Sequence, residues 1–332
     1  MINRPRAALA ILALLSLAGG TLNAQGRLLF AEAQAVGSWE SPSNSFRPYS
    51  MHPDEAMQKP SLGFDLVQRL GGEGRDWGYL AVQARLAYDE NRPSRLEPQL
   101  YNAFLNFKAP GFDAWIGHNK PALGLSLTLD NHAQILMDNT MSGLVMDRDW
   151  GLGLNFNRGR PELAVSLTTG SGMALAYDES WLLAARAGLG EHSRENIALG
   201  ASLAAGTVFK TMGYHFMHDL ATHRLLLGGI DFSRRITAFE LRSDLLYGSF
   251  HENPAYAALA RLTWFPLPED RAEITLQGQF QELAGAAVQN YSLGAGYRLS
   301  PDLALRSAFT YSEPAESGTI ALQLYYYKAL PF

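Results

Sequence analysis

Alternation of apolar and polar residues with a period of two runs through most of this chain and restricts its fold more than any other feature. Between residues 271 and 283, for example, Ile274, Leu276 and Phe280 alternate with Thr275 and Gln277. Successive side chains of a β-strand point to opposite faces, so such a segment has one apolar and one polar face. The pattern recurs at residues 99–108, 239–247, 289–299 and 302–311. The sequence therefore predicts an all-β protein.

The length of these segments suggests what the apolar faces contact. Each spans about 9–13 residues, which is the length that a tilted strand needs to cross the hydrocarbon layer of a membrane. A soluble β-sandwich alternates in the same way, with its apolar faces packed against each other. Alternation alone does not separate the two folds.

The two ends of the chain favour the membrane barrel. Residues 1–6 are basic and residues 7–17 are apolar, which is the pattern of a secretory signal peptide, and we expect cleavage after Ala24. The last segment alternates up to Phe332, an ending typical of the strand that bacterial outer-membrane barrels present for insertion. We predict a signal peptide at residues 1–24 and a transmembrane antiparallel β-barrel over residues 25–332, located in the bacterial outer membrane.

The strand number is predicted less sharply than the fold. The pattern gives about seventeen candidate strands, whereas closed single-chain barrels of bacteria have an even number. The uncertain position lies within residues 195–220, where residues 204–206 fit a turn or the middle of one strand. We predict about 16 strands, with 14 and 18 as alternatives.

Composition and motifs argue against several other classes of protein. The chain contains no cysteine, which excludes a disulfide scaffold, a thiol nucleophile and a zinc–thiolate site. Its net charge of −5 argues against nucleic acid as a partner. There is no Gly-x-Ser-x-Gly elbow, and His215 and His218 would point to opposite faces of a strand. We predict no catalytic residue, no metal and no cofactor.

One stretch, between residues 100 and 154, resembles the phosphate-selective porin O/P-like family. The matching positions are Gly117, His118, Lys120, Pro121 and Gly124 in the first motif and Arg148 and Gly151 in the second. His118 stands where that family usually has Gln. The resemblance implies a porin barrel of about sixteen strands, often trimeric, in which the loop between the two motifs folds into the lumen and narrows it.

The connection at residues 121–148 supports an inward-folded third loop without the family. It is far longer than an ordinary hairpin loop. Its apolar residues include Leu123, Leu125, Leu127, Leu129, Ile135, Leu136 and Met137. Folding against the inside of the barrel would remove this apolar content from water. The candidate pore-constriction residues are Lys120, Asp130, His132, Asp138 and Arg148.

The charges of this region predict the kind of pore. Anion selectivity requires rings of Lys or Arg at a constriction, whereas this loop is neutral to acidic. Charges of both signs are expected on the lumen wall, at Arg85, Lys108, Glu240, Arg242, Asp244 and Arg306. We therefore expect no phosphate selectivity, but a general or mildly cation-preferring porin through which small hydrophilic solutes or ions diffuse.

The expected partners are outer-membrane lipids, the barrel-assembly machinery acting on the strand that ends in Phe332, small polar solutes and two further copies in a homotrimer. Two alternatives stay open. One is a closed, non-conducting barrel that serves as an adhesin or anchor, whose lumen would be packed with complementary charges such as those at residues 240–244. The other is a barrel enzyme such as a lipid hydrolase.

Overall fold

The computed structural model describes residues 26–41, 43–51, 58–72, 75–127, 133–157, 161–190, 196–216, 221–283 and 285–331. The predicted signal peptide, its cleavage position and Phe332 lie outside these residues. Among the residues described, no helix is long and apolar enough to cross a membrane.

Sixteen long antiparallel strands form one sheet that closes on itself. They are β1 (Arg27–Ser41), β2 (Ser61–Gly72), β3 (Arg75–Tyr88), β4 (Leu96–Ala109), β5 (Phe112–Asn119), β6 (Asp149–Asn157), β7 (Pro161–Thr168), β8 (Trp181–Leu189), β9 (Ile197–Phe209), β10 (Thr222–Ile236), β11 (Phe239–Phe250), β12 (Asn253–Trp264), β13 (Ala272–Leu283), β14 (Ala286–Ser300), β15 (Leu303–Glu313) and β16 (Ser317–Leu330). Closure occurs at β1, where Gln34 lies opposite Ser61 of β2 and Tyr325 of β16. The prediction of a sixteen-stranded barrel is confirmed.

The uncertain segment around residue 204 is the middle of one strand. Ala204 of β9 lies opposite Ala184 of β8 on one side and Leu227 of β10 on the other. A small hairpin follows in the next loop, where Thr211–Met212 pairs with His215–Phe216 apart from the barrel sheet.

The alternation seen in the sequence separates the outside of the barrel from its inside. In β9, Leu203 is 69% exposed on the outer surface, whereas its neighbour Ala204 is only 2% exposed on the inner side. Trp77, Trp181 and Trp264, which lie near strand ends, are also exposed. An outward apolar band with aromatic residues at its borders is the surface that a transmembrane barrel presents to lipid.

The two ends of the barrel differ. One end, here called the loop end, carries the connections L1 (residues 42–60), L2 (89–95), L3 (120–148), L4 (169–180) and L5 (210–221). The other end, the turn end, has mostly short connections. At the loop end, however, the last three hairpins have tight turns, so the long loops are confined to the β1–β10 side. The connection between β15 and β16 is a three-residue turn, because β15 extends to Glu313 and β16 begins at Ser317.

Candidate functional site

L3 lies inside the barrel, as predicted, and its start is fixed to the wall by hydrogen bonds. The Ala122 amide donates to Ser166 Oγ on β7 at 2.9 Å, and the Gly124 amide donates to Ser202 Oγ on β9 at the same distance. Both serines point inward where a backbone amide needs an acceptor. L3 is therefore attached to the wall at its first residues.

An apolar core forms between L3 and the inner faces of β8–β13. From L3 it contains Leu123, Leu144, Val145 and Met146, and from the wall Leu182, Ala184, Ala204, Val208, Leu225, Leu227, Leu246, Phe250, Ala255, Ala257 and Leu283. Inner faces that contact water in a porin are polar. Here the apolar inner faces are covered by L3, so this side of the lumen is filled.

A second part of L3, residues 133–138, is held by polar side chains of β12, β13 and β15, which donate to its carbonyl oxygens. Arg306 Nη1 donates to the Ala133 oxygen at 2.8 Å. Gln277 Nε2 donates to the Met137 oxygen at 2.6 Å, and Gln279 Nε2 donates to the Asp138 oxygen at 2.8 Å. Arg261 Nη1 adds a bond to Gln134 Oε1 at 2.9 Å. The 133–138 segment is thus suspended from the wall through its backbone.

The structure places two of the candidate constriction residues in buried positions. Asp138 is 5% exposed and caps the short 3₁₀ turn at Asn139–Ser142, accepting from the Thr140 amide at 2.9 Å. Burial raises the pKa of its carboxyl group. Arg148 is fully buried, pairs with Asp147 and lies 5.0 Å from the centre of the Tyr101 ring.

The remaining constriction candidates are placed differently. Lys120 is partly exposed at the start of L3. Asp130 and His132 lie outside the described residues. The structure therefore brings Asp138 and Arg148 into the packed part of L3, and the charge of the open lumen depends on other side chains.

Of the six lumen-wall candidates, five point into the barrel. Arg85 stacks at 4.4 Å from the centre of the Tyr101 ring, and Asp244 accepts a hydrogen bond from Asn139 of L3 at 3.0 Å. Arg242 pairs with Glu240 at 2.9 Å. Arg306, as described above, holds L3.

Lys108 is the exception among these six, because it is exposed at the turn end. Its ammonium group lies 2.9 Å from Asp76 Oδ2. It is therefore a rim charge of the barrel.

Sequence reasoning missed the contacts between loops at the loop end. L5 reaches across to β4, where Tyr214 packs edge-on against Tyr101 with ring centres 6.2 Å apart. Beside it, His215 Nε2 lies 3.3 Å from Glu97 Oε1. No local pattern marks these residues, because the partners come from distant parts of the chain.

Lys59 of L1 is another buried residue that the sequence did not single out. Its ammonium group lies 3.1 Å from Asp89 of L2 and 3.0 Å from Glu97 of β4. Asp89, Glu97 and His215 lie close enough to share a metal ion. The Lys59 ammonium and the Arg92 guanidinium, which lies 2.7 Å from Glu97 and 3.6 Å from Asp89, together balance the two carboxylates. We therefore assign this cluster to holding L1, L2 and L5 together.

Two cavities flank the 133–138 segment on the side of the barrel that L3 leaves uncovered. The turn-end cavity, of about 230 Å³, is lined among others by Ile135, Arg242, Glu273 and Arg306. The loop-end cavity, of about 170 Å³, is also lined by Ile135. Its wall residues are small or polar and include Ser38, Ala308, Thr310, Ser312, Thr319 and Ala321. Small inward side chains on β15, β16 and β1 leave space beside the wall, and Ile135 separates the two cavities.

Comparison with known proteins identifies structures with a similar fold. No family model matches the chain, and no curated protein matches it. A loop-deletion mutant of OmpT, an outer membrane protein of Vibrio cholerae, is similar in structure with a TM-score of 0.63 and 11% identity, over 91% of this chain and 99% of that one. The outer membrane channel DcaP of Acinetobacter baumannii gives a TM-score of 0.58 and 12% identity, over 93% and 99%. A mutant of the Rhodopseudomonas blastica porin gives 0.59 and 10%, over 91% and 100%.

The fold is therefore that of porin-like bacterial outer-membrane barrels. Together with the outward apolar band, it places the chain in the bacterial outer membrane. The resemblance to the phosphate-selective family is not confirmed by these comparisons.

Proposed function

We propose that this protein is an outer-membrane porin through which small hydrophilic solutes and ions diffuse passively. The observation that carries the proposal is the pair of cavities, of about 230 and 170 Å³, that approach each other at Ile135 from opposite ends of the barrel. In this proposal solutes pass from one cavity to the other between the 133–138 segment and the wall formed by β14–β16 and β1. The channel is thus eccentric, since L3 fills the opposite side.

In this proposal the narrowest point is the passage past Ile135. Its width depends on the backbone hydrogen bonds that suspend the 133–138 segment, among which the bond from Arg306 is nearest to the open wall. Arg306 also donates to Gln323 at 3.0 Å, which fixes its guanidinium between the wall and the loop. Residues outside the described range, including Asp130 and His132, are further candidates for lining the constriction.

The charges along the proposed path favour weak selectivity. Glu40 pairs with Arg47 at 2.8 Å in the loop-end cavity, and Glu240 pairs with Arg242 in the turn-end cavity. Paired charges offset each other in their effect on a passing ion. Glu273 and Arg306 add one charge of each sign. We infer a general pore for small polar solutes, with no catalytic step and no bound cofactor.

A homotrimer is part of the proposal. One structurally similar protein, OmpT of Vibrio cholerae, is described in a trimer form, with a TM-score of 0.62 to this chain. Cross-linking of the detergent-purified protein tests this separately from conduction.

The test of conduction uses the absence of cysteine, which makes every introduced thiol unique. Thr310→Cys places a thiol in the loop-end cavity, whereas Ala204→Cys places one beneath L3. In planar bilayers we expect discrete conductance steps from the refolded protein. A charged methanethiosulfonate reagent should reduce the conductance of Thr310→Cys and leave that of Ala204→Cys unchanged.

The rival with structural support is a closed barrel. Part of the lumen is packed with complementary charges, such as Arg186 with Asp231 and Arg148 with Asp147. If the folded protein showed no conductance steps, the closed barrel would replace the porin. If the reagent reduced the conductance of both variants equally, we would conclude that solutes pass beneath L3 and reject the eccentric channel.

A further inference from the structure

Thioether side chains from three loops meet two tyrosines beneath the loop end. Met141 and Met173 form a buried cluster with Tyr101, and Met51, Met137 and Tyr214 pack against it. Met51 belongs to L1, Met137 and Met141 to L3, and Met173 to L4, while Tyr214 comes from L5. Sulfur–aromatic contacts of this kind are favourable, and methionine adapts to irregular gaps. This methionine cluster therefore joins four of the five long loops.

The four sulfur-bearing side chains differ in their access to water. Met141 is 2% exposed and Met173 is 5% exposed. Met51 and Met137 are only partly buried, and both line the loop-end cavity of the proposed channel. A small solute in that cavity would contact these two side chains first.

The chain has no cysteine, so methionine supplies its only sulfur atoms. Methionine sulfur is oxidised reversibly to the sulfoxide, which is polar and disrupts methionine-rich contacts. The cavity of about 170 Å³ has room for a small peroxide beside these side chains.

We propose that Met51 and Met137 form an oxidation site for small peroxides, and that their conversion to sulfoxides loosens the loops and widens the channel. The sulfur lone pair attacks one peroxide oxygen, so that an S–O bond forms as the O–O bond breaks. The proton of the transferred oxygen moves to the departing one, which leaves as water or an alcohol. Sulfur loses two electrons and the peroxide gains them.

The expected consequence follows from the position of the two side chains. On one side each contacts the apolar cluster around Tyr101 and Met141, and on the other each contacts the cavity. A sulfoxide oxygen facing the cluster would be buried among apolar atoms and aromatic rings, which is unfavourable without a hydrogen-bond donor. L1 and the 133–138 segment then separate from the cluster. This inference rests on the proposed function, because the widening is measured as an increase in conductance.

The experiment treats the refolded full-length protein with hydrogen peroxide. Peptide mapping by mass spectrometry follows each sulfoxide, and planar-bilayer recording follows unitary conductance before and after treatment. We expect Met51 and Met137 to react before Met141, Met173 and Met146, and conductance to rise as they react. Methionine sulfoxide reductase should return it to the starting value.

Two variants separate the proposal from general damage. Met51→Leu/Met137→Leu keeps the side-chain volume nearly unchanged, so it should fold and conduct, but its conductance should not respond to peroxide. Met146→Leu, in the other apolar core, should respond like the wild type. Unchanged conductance after confirmed oxidation of Met51 and Met137 would overturn the proposal, as would an equal response of the double variant. A folded protein that never conducts, before any oxidant is added, would instead contradict the porin function itself.

Discussion

Arg186 of β8 and Asp231 of β10 form a two-pronged ion pair across the strand that lies between them. Nε and Nη2 of the guanidinium lie 2.9 and 2.7 Å from the two carboxylate oxygens, and both side chains are fully buried inside the barrel. The pair passes over β9 at Gly200, where a Cβ atom would clash with both side chains. A larger residue at this position would have to displace the ion pair, because the pair occupies the space of a side chain.

This ion pair predicts a large effect of removing one partner. Asp231→Ala removes the two-pronged partner of a buried guanidinium that also contacts Glu162, and we expect a loss of about 3 kcal/mol in the free energy of unfolding. The free energy of unfolding is measured by urea titration in detergent micelles, with tryptophan fluorescence as the signal.

A matched control exists at the turn end, where Asp270 binds Arg235 in the same two-pronged way at 3.0 and 2.7 Å. The hydrogen bond from Arg235 lowers the pKa of Asp270. That pair is about one-third exposed, so Asp270→Ala should cost less than about 1 kcal/mol. Equal losses for the two variants would contradict the role of burial.

The charges of the turn-end cavity predict opposite shifts in ion selectivity. Arg306→Gln removes a positive charge but keeps a hydrogen-bond donor for the Ala133 oxygen, so the reversal potential in a salt gradient should move toward cations. Glu273→Gln should move it toward anions. Both shifts should shrink between 0.1 M and 1 M salt, since the Debye length falls from about 10 to 3 Å. Lys108→Gln, at the rim, is the control and should shift the potential less; a larger shift there would place the selective charges outside the cavity.

Asp138 predicts a pH dependence in the docking of L3. Because burial raises its pKa in the folded protein, ionisation is less favourable there than in the unfolded chain. The protonated carboxyl stabilises the folded protein fully at pH values below the pKa of Asp138 in the unfolded chain. This stabilisation is lost as the pH rises through the pKa of Asp138 in the folded protein. Limited proteolysis of L3 should therefore become faster over that rise.

Two substitutions at this position separate charge from capping. Asp138→Asn keeps an N-cap side chain and removes the ionisation, so the rise in proteolysis with pH should become smaller. Asp138→Ala also removes the cap of Asn139–Ser142 and should cost about 1 kcal/mol at all pH values. A pH profile of Asp138→Asn identical to that of the wild type would assign the effect to another group.

The apolar core beneath L3 predicts that the loop can be loosened without damage to the barrel. Leu123 is 2% exposed within that core, so Leu123→Ala should weaken L3 docking by about 2 kcal/mol and increase current noise and proteolysis of L3. Leu203→Ala, at an equally apolar but lipid-facing position, is the comparison and should leave L3 unaffected. Unchanged noise in Leu123→Ala would mean that the hydrogen bonds alone hold the loop.

The sequence by itself determined the strands and their two faces, because the period-two pattern is local and each strand carries its own apolar and polar residues. Strand length then favoured a membrane barrel over a sandwich. The length of the connection at residues 121–148 and its apolar residues also indicated that L3 folds inward. Five of the six lumen-wall candidates lie on the inner face for the same reason, and their role in conduction stays a prediction. Lys108 lies at the rim, where a charge can reach water whichever face it belongs to.

Only the tertiary structure decided which part of the lumen is filled. Asp138 and Arg148 are charged and lie at L3, so their sequence context favoured a place in the water-filled constriction, yet capping and pairing bury both. The contact between Tyr214 of L5 and Tyr101 of β4 joins residues far apart in the chain. Such contacts depend on how loops from different strands meet once the barrel has closed, and no local pattern in the sequence encodes that arrangement.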